Sequence, residues 1–568
     1  MDETPLVLIL GDDALVEQVC NELTSSLGYR VCVLLRSGSV GVAPPGLRNV
    51  TLSPGYDESL VASGVREATA ILALADDDEL NLAVALRARM LNSRVQIVLR
   101  QSNTTLGRKI EQNVAGCTVL SLAAHSAATY AAAALNQACF FALRFPSSGG
   151  SLVGFELNTA ETLGVGGLTV FEAEQRLGLR VLALNDRHEP PGGAIVAASD
   201  MLTSFGAVVS RRPRQGAEVP APVPGVVSAR PRDYSPRAVI AAFGRLNPIL
   251  RTVAVAAVIF FSLSYCYFHF ALGKSLLASA FYVVATMTNV GFGEVSVTRR
   301  GAAITFGAIV AMLGGIVFTS ILIGYVSSAI TRAQWTAEQG LRRVRAHGHV
   351  VVCGGGKIGR AVVDLTTAAG LRTVVIDTNP DATLVRRGRE RDVDLLTGDA
   401  TRDEALDLCD IPNAWAVLAL TNSDAANLEI ALGARARAPE VPLVVRMESE
   451  AFAQATAELF GISTFSPATL SAPAFAGLSR FPGTRGRVHF GGRDWTVAQY
   501  DAGTGALADR FEDVATPVCV WRDERVHLIR DFAGARPGET MLYLSPFAGL
   551  RPPAAAPAPA PTEVLPQA

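Results

Sequence analysis

Two glycine-rich segments in this chain carry residue types able to bind ions or phosphates. The first reads Thr288-Asn289-Val290-Gly291-Phe292-Gly293-Glu294. Its alternating glycines permit positive-φ backbone, which turns successive carbonyls toward one axis while Val290 and Phe292 point away and pack. Carbonyls arranged in this way replace the hydration shell of a monovalent cation. The second segment is Gly354-Gly355-Gly356-Lys357-Ile358-Gly359, a GxGxxG turn. Its glycines let backbone approach a pyrophosphate at a helix N-terminus. Asp377 follows at the distance where an acid accepts hydrogen bonds from ribose hydroxyls, and its charge opposes a ribose 2′-phosphate. Eight cysteines are scattered without CxxC or Cys/His spacing, so no metal site other than the cation site at the carbonyls is read. No acid–base pair accompanies the turn, and the chain is read as a non-enzyme; a membrane-anchored dinucleotide oxidoreductase is the alternative from another class.

These segments need very different supports. Thr252 to Gly273 and Gly301 to Thr331 contain no Asp, Glu, Lys or Arg, and about 20 such residues span a bilayer. Between them, Ser275 to Met287 is short and apolar, so the layout is span, half-membrane helix, re-entrant loop, span. Irregular backbone at that depth persists only when buried in protein or lining a water-filled path. Arg230, Arg232, Arg237, Arg245 and Arg251 precede the first span and Arg332, Arg342, Arg343 and Arg345 follow the second, against Lys274, Arg299 and Arg300 between them. The positive-inside rule then puts both flanks, and both termini, in the cytosol of a multi-pass plasma-membrane protein. The opening MDETPLVLILG is not read as a secretory signal. With Lys+Arg 50 against Asp+Glu 52, no basic field points to nucleic acid.

The glycine turn sits in a strand–turn–helix–strand setting, HVVVCGGGKIGR to VVID, and the chain beyond it alternates strand and helix patterns, as a parallel sheet does. An echo lies near the N-terminus. Ala70, Asn81, Arg89 and Arg100 align with Ala416, Asn427, Arg435 and Arg446 at a constant offset, which implies a duplicated domain. The N-terminal copy reads Gly11-Asp12-Asp13 at its turn and Arg36 where Asp377 stands in the other. Two carboxylates there repel a pyrophosphate, so this copy is read as an assembly element, with Arg36 as an alternative anion ligand.

The segment TMTNVGFGE between two spans resembles the filter of two-transmembrane potassium channels. HGHVVVCGGGKIGR, IDTNP and GDAT resemble the RCK (regulator of potassium conductance, TrkA-N-like) domain. The resemblance implies a multidomain fold: an α-helical two-transmembrane pore-loop region flanked by two α/β Rossmann-like RCK domains. It implies a homotetramer in the lipid bilayer with K+ as permeant ion, and a cytosolic ring of eight RCK domains whose ligand, NAD(H) or ATP/ADP, controls gating. To the nucleotide residues it adds Thr378, Asp399 and Ala400. Asn289 replaces a threonine of the family's filter, which leaves a non-selective cation channel as the alternative. Gly314, Gly315 and Gly324 in the second span are read either as a gating hinge or as close-packing positions.

The expected boundaries are a first Rossmann-like lobe at 1–140 and its second lobe at 141–210, then a linker at 211–236. The pore region takes 237–332, with spans near 250–273 and 301–328 and a pore helix near 275–287. A linker at 333–347 leads to the second Rossmann-like lobe at 348–480, its C-terminal lobe at 481–547 and a Pro/Ala tail at 548–568.

Overall fold

The computed structural model describes residues 4–37, 46–146, 150–208, 258–271, 273–287, 301–338, 344, 346–390, 393–501, 515–536 and 538–546. The filter at 288–294, the linker at 211–236 and the tail at 548–568 lie outside the described residues, as does part of 333–347. The chain divides into two compact units, one of residues 1–214 with 340–568 and one of 215–339.

In the first unit, β1 (Leu6–Leu10), β2 (Arg30–Leu35), β3 (Arg48–Thr51), β4 (Ala70–Ala73), β5 (Gln96–Arg100) and β6 (Cys117–Leu120) form one sheet in the order β3-β2-β1-β4-β5-β6. Every pairing is parallel. Strands such as LVLIL and AILA are apolar at consecutive positions rather than alternate ones because helices cover both faces. Five strands further on, after the small antiparallel sheet described below, the pattern repeats with β12 (His349–Cys353), β13 (Thr373–Asp377), β14 (Asp394–Thr397), β15 (Ala414–Ala419), β16 (Leu443–Arg446) and β17 (Ser463–Phe465). Their order is β14-β13-β12-β15-β16-β17, again all parallel. The sequence echo marks corresponding buried joints. Asn81 Nδ2 donates to the carbonyls of Ala75 (2.7 Å) and Arg100 (3.1 Å), and Asn427 Nδ2 to those of Thr421 (3.0 Å) and Arg446 (2.9 Å).

The two halves exchange a helix. Leu122–Leu135 of the first half reads LAAHSAATYAAAAL, apolar around most of its circumference, and Ser126 through Leu135 are all buried. Ala127, Tyr130, Ala131 and Ala134 pack against Val350, Val352, Ile358 and Val362 of the second half. Tyr130 Oη donates to the Phe465 carbonyl at 2.6 Å. Reciprocally, Ala468, Ala472, Phe475 and Ala476 of the helix Pro467–Leu478 pack against Val7, Ile9, Val33 and Leu72 of the first half. Gln96 Nε2 donates to the Leu478 carbonyl at 2.6 Å. Each sheet therefore depends on the other half for one covering helix.

A small antiparallel sheet completes each half. The first comprises β7 (Cys139–Phe145), β8 (Ser151–Thr159), β9 (Arg180–Leu184), β10 (Arg187–His188) and β11 (Met201–Ala207), in the order β10-β9-β11-β8-β7. The boundary expected at 140/141 falls inside β7. The second comprises β18 (Thr484–Phe490), β19 (Arg493–Asp501), β20 (Thr516–Arg522), β21 (Arg525–Leu528) and β22 (Thr540–Pro546), in the order β18-β19-β22-β20-β21. Read from its other edge, this is the same arrangement strand for strand. The two small sheets share a core in which Phe141, Phe155 and Phe205 meet Trp495, Val497 and Leu542. Arg180, almost fully buried, donates across that junction to the carbonyls of Pro517 and Ile529.

Among its described residues, the second unit holds the helices Val258–Phe270, Leu276–Met287 and Ala302–Glu338. Among the described residues, Ala302–Ile321 is long and apolar enough to cross a membrane. The first expected span begins in residues that are not described, and Val258–Phe270 is its described part. A Cβ on Gly314 would stand 2.2 Å from the Phe260 ring, and one on Gly307 would stand 2.7 Å from the Tyr267 ring. These two glycines let the helices approach, which is the packing alternative for Gly314. Among the described residues nothing lies within 4 Å of a Cβ placed on Gly324, and the Gly315 carbonyl accepts from Thr319 Oγ1 at 2.5 Å.

Candidate functional site

In a sheet of this order the strands reverse direction of progress between β12 and β15, which opens a crevice at their carboxyl ends. A cleft of about 630 Å³ lies there. Gly354, Gly355, Gly356, Lys357, Ile358, Asp377, Thr378, Asp399 and Ala400 all line it, and Gly359 stands behind the turn.

Each glycine meets a separate demand. Gly354 has φ +102°, and a Cβ on it would lie 2.9 Å from the Leu420 carbonyl carbon and the Thr421 amide nitrogen, so the turn presses directly on the end of β15. A Cβ on Gly359 would lie 1.9 Å from the Gly354 oxygen. At Gly356 no described residue stands within 4 Å of an added Cβ. Gly356 is also the N-cap of the helix Lys357–Ala368 and supplies no side-chain cap, so the helix's first amides have no side-chain acceptor from the cap residue. Uncapped amides and the positive end of a helix together attract an anion.

Asp377 is held at the tip of β13 by two backbone donors, Gly355 N at 2.5 Å and Asn379 N at 2.7 Å. Asp399 accepts from the Thr401 hydroxyl at 2.8 Å and its amide at 3.0 Å, and these bonds hold its carboxyl below the usual range. Burial pushes the Cys353 thiol, next to the turn, up to about 12; it is a protonated core residue and no nucleophile.

The first half also reaches this cleft, through Asp76, Arg100, Ser102, Leu122 and Ala123. Lys357 Nζ lies 2.9 Å from Asp76 Oδ1, and Arg100 Nη2 lies 2.9 Å from the same oxygen. The other lining cations are paired as well, Arg360 with Asp381 and Arg446 with Glu448. Sequence reasoning singled out Arg100 and Arg446 as repeat positions but gave them no place in a site. Asp76 carried no signal, because its role depends on the helix exchange that brings the halves together.

The corresponding turn of the first half is closed. Gly11, with φ +134°, repeats the role of Gly354, since a Cβ on it would lie 3.0 Å from the Ala75 amide. Asp13 replaces Gly356 as N-cap, and its carboxylate accepts from Val16 N at 3.2 Å and pairs with Arg100. A carboxylate thus occupies the place of an anion at this helix. Arg36 is largely exposed and stands 3.5 Å from Asp77.

Residues 7–121 and 350–465 each match the TrkA-N domain profile. The chain carries a TrkA-N (RCK) domain at each end. "Potassium channel protein 1" of Methanocaldococcus jannaschii is 27% identical over 179 residues, covering 30% of this chain and 52% of that protein. "Probable potassium channel protein 2" of the same organism is 24% identical over 185 residues, covering 31% and 53%. The chain thus spans about half the length of these curated relatives. A solved structure described as the GsuK channel covers 96% of this chain and 77% of its own, at 14% identity and a TM-score of 0.50, a likeness of fold. The TrkA-N matches coincide with the two parallel sheets, and the open cleft belongs to the second domain.

Proposed function

We propose that this protein is a nucleotide-regulated cation channel conducting K+, assembled as a homotetramer in the plasma membrane around the carbonyls of residues 288–294. The observation that carries the regulatory part is the uncapped turn at Gly356 opening into a cleft beside Asp377. That geometry suits a pyrophosphate at the helix start and ribose hydroxyls on Asp377, which fits NAD(H) or ATP/ADP. The pore part is supported by the names of the relatives, by the uncharged segments and by the TMTNVGFGE sequence between them. Four chains would supply eight TrkA-N domains. Only residues 339–348 separate the end of the long apolar helix from β12, so a ligand that favours one shape of the domain pair would bias the gate through a short connection.

Rubidium efflux from vesicles containing the purified protein tests this reading. Efflux that depends on NAD, ADP or ATP at the TrkA-N face is the expected result, and vesicles that retain rubidium under every condition would overturn it. Asn289 favours a second reading, conduction without selectivity, because its amide NH2 stands where the resembled filter has a hydroxyl. Bi-ionic reversal potentials separate the two: Asn289→Thr sharpens the preference for K+ over Na+ if the amide compromises the inner site.

A further inference from the structure

In the ion pair between Lys357 and Asp76, a charge of the first TrkA-N domain meets the glycine turn of the second. The repeat makes the pairing more informative. By the register that aligns Gly11 with Gly354, Lys357 corresponds to Ala14, and by the later offset Asp76 corresponds to Asn422. A reciprocal contact would join Ala14 to Asn422 and carry no charge. The charged version therefore exists at the open cleft and not at the closed one.

Lys357 is the first residue of its helix, immediately after uncapped Gly356, and its side chain is half exposed. Among the cations lining the cleft it is the least constrained. Arg100 is nearly buried and bonded to Asp13, Asp76 and the Leu74 carbonyl, while Arg360 and Arg446 hold carboxylates of their own half. Asp76 is anchored by Arg100, so it stays in place when Lys357 moves. Taken together, the lining carries Arg100, Lys357, Arg360 and Arg446 against Asp76, Asp377, Asp381 and Asp399, and the charges balance. Among the described residues a phosphate chain entering the turn meets no spare cation, and it must take Lys357 from Asp76.

We infer that Asp76 of the first TrkA-N domain is a specificity-determining residue of the second domain's nucleotide cleft, withholding Lys357 and so tipping the cleft against highly charged phosphate chains and toward a dinucleotide. This rests on the reading of the cleft as a nucleotide site. Asp76 acts by charge and by competition, so its effect scales with ligand charge, which rises from NAD to ADP to ATP. The pair is exposed, and pairs of this kind are weak, so the change is modest.

Titration calorimetry on the full-length protein in detergent, without divalent metal, tests this with NAD, ADP and ATP as the probes. Asp76→Asn keeps the shape of an exposed side chain and is expected to tighten ATP about fivefold, ADP about threefold and NAD less than twofold. In a Lys357→Gln background the same substitution is expected to gain clearly less for ATP than in the wild type, since Lys357 is no longer there to be released and Arg100 stays held by Asp13 and the Leu74 carbonyl. Equal effects on all three nucleotides, or an undiminished gain without Lys357, would overturn the inference while leaving the nucleotide reading intact. A wild-type protein that binds none of the three would end both.

Discussion

The two TrkA-N domains of this chain share a backbone and differ in what sits at the start of one helix. In the first, Asp13 caps the helix with its own carboxylate, pairs with Arg100 and sets a negative charge where another anion would sit. In the second, Gly356 caps nothing and faces open space. Both keep the glycine that the tight approach to the sheet demands, Gly11 and Gly354, and both keep the buried asparagine that ties strand ends together. Even that asparagine registers the difference: Asn427 Oδ1 accepts from the Thr421 amide and hydroxyl, whereas Asn81 Oδ1 has no hydrogen-bond partner among the described residues. Duplication has preserved what the fold needs and dispersed what a ligand needs. The first domain supplies a covering helix and a lip of charge; the second supplies the cleft.

That division can be broken at its structural seam. Phe475 belongs to the second domain and is fully buried against the first. Phe475→Ala is expected to cost about 3–5 kcal/mol. Hydrogen exchange should show the loss in β1 and β4 of the first domain as well as in its own helix; a loss confined to residues 463–478 would mean the exchange of helices is not a cooperative link. The comparison can also be collapsed at the turn. Gly356→Asp gives the second domain the cap of the first, placing a carboxylate where the phosphate would bind and satisfying the amide it would use. Nucleotide affinity measured by calorimetry should fall about 100-fold, the order of one or two charge-assisted hydrogen bonds plus repulsion.

A smaller effect comes from pH. His125, on the exchanged helix of the first domain, donates from Nε2 to the Arg485 carbonyl at 2.7 Å and accepts at Nδ1 from the Ser471 hydroxyl at 3.1 Å. His349 donates from Nε2 to the Cys409 carbonyl at 2.7 Å. Burial lowers both below the ordinary histidine value, so the folded state holds them neutral while the unfolded chain takes up protons. Stability should be fully present above about pH 6.5 and decline as pH falls below it. Thermal melts of His125→Gln should show a shallower acid slope than wild type; identical slopes would remove His125 from the account.

Much of this was legible in the sequence. Consecutive apolar strands, the glycine spacing and the constant offset between Asn81 and Asn427 together specify two parallel sheets and the location of the cleft. The C-terminal lobe was harder: VHFGGRDWTVAQYDAG shares little wording with its counterpart, yet strands β18–β22 reproduce the order of β7–β11. β20 and β22 are each buried at five consecutive positions because packed clusters lie on both faces of that sheet, and many apolar sequences satisfy such a pattern. The helix exchange was not legible. An all-round apolar helix such as Leu122–Leu135 announces that it is buried without saying against which half. Asp76 was hidden for the same reason, since an exposed acid after a strand acquires meaning only from Lys357 across the junction.

The account's central claim is that a nucleotide in the second domain's cleft controls cation flow. Rubidium efflux from vesicles carrying wild-type protein or Gly356→Asp, with and without NAD or ADP, tests it most directly. The wild type should change its efflux with nucleotide, and the variant should conduct at one fixed rate whatever is added. A variant that responds as the wild type does, or a wild type indifferent to both nucleotides, would contradict it.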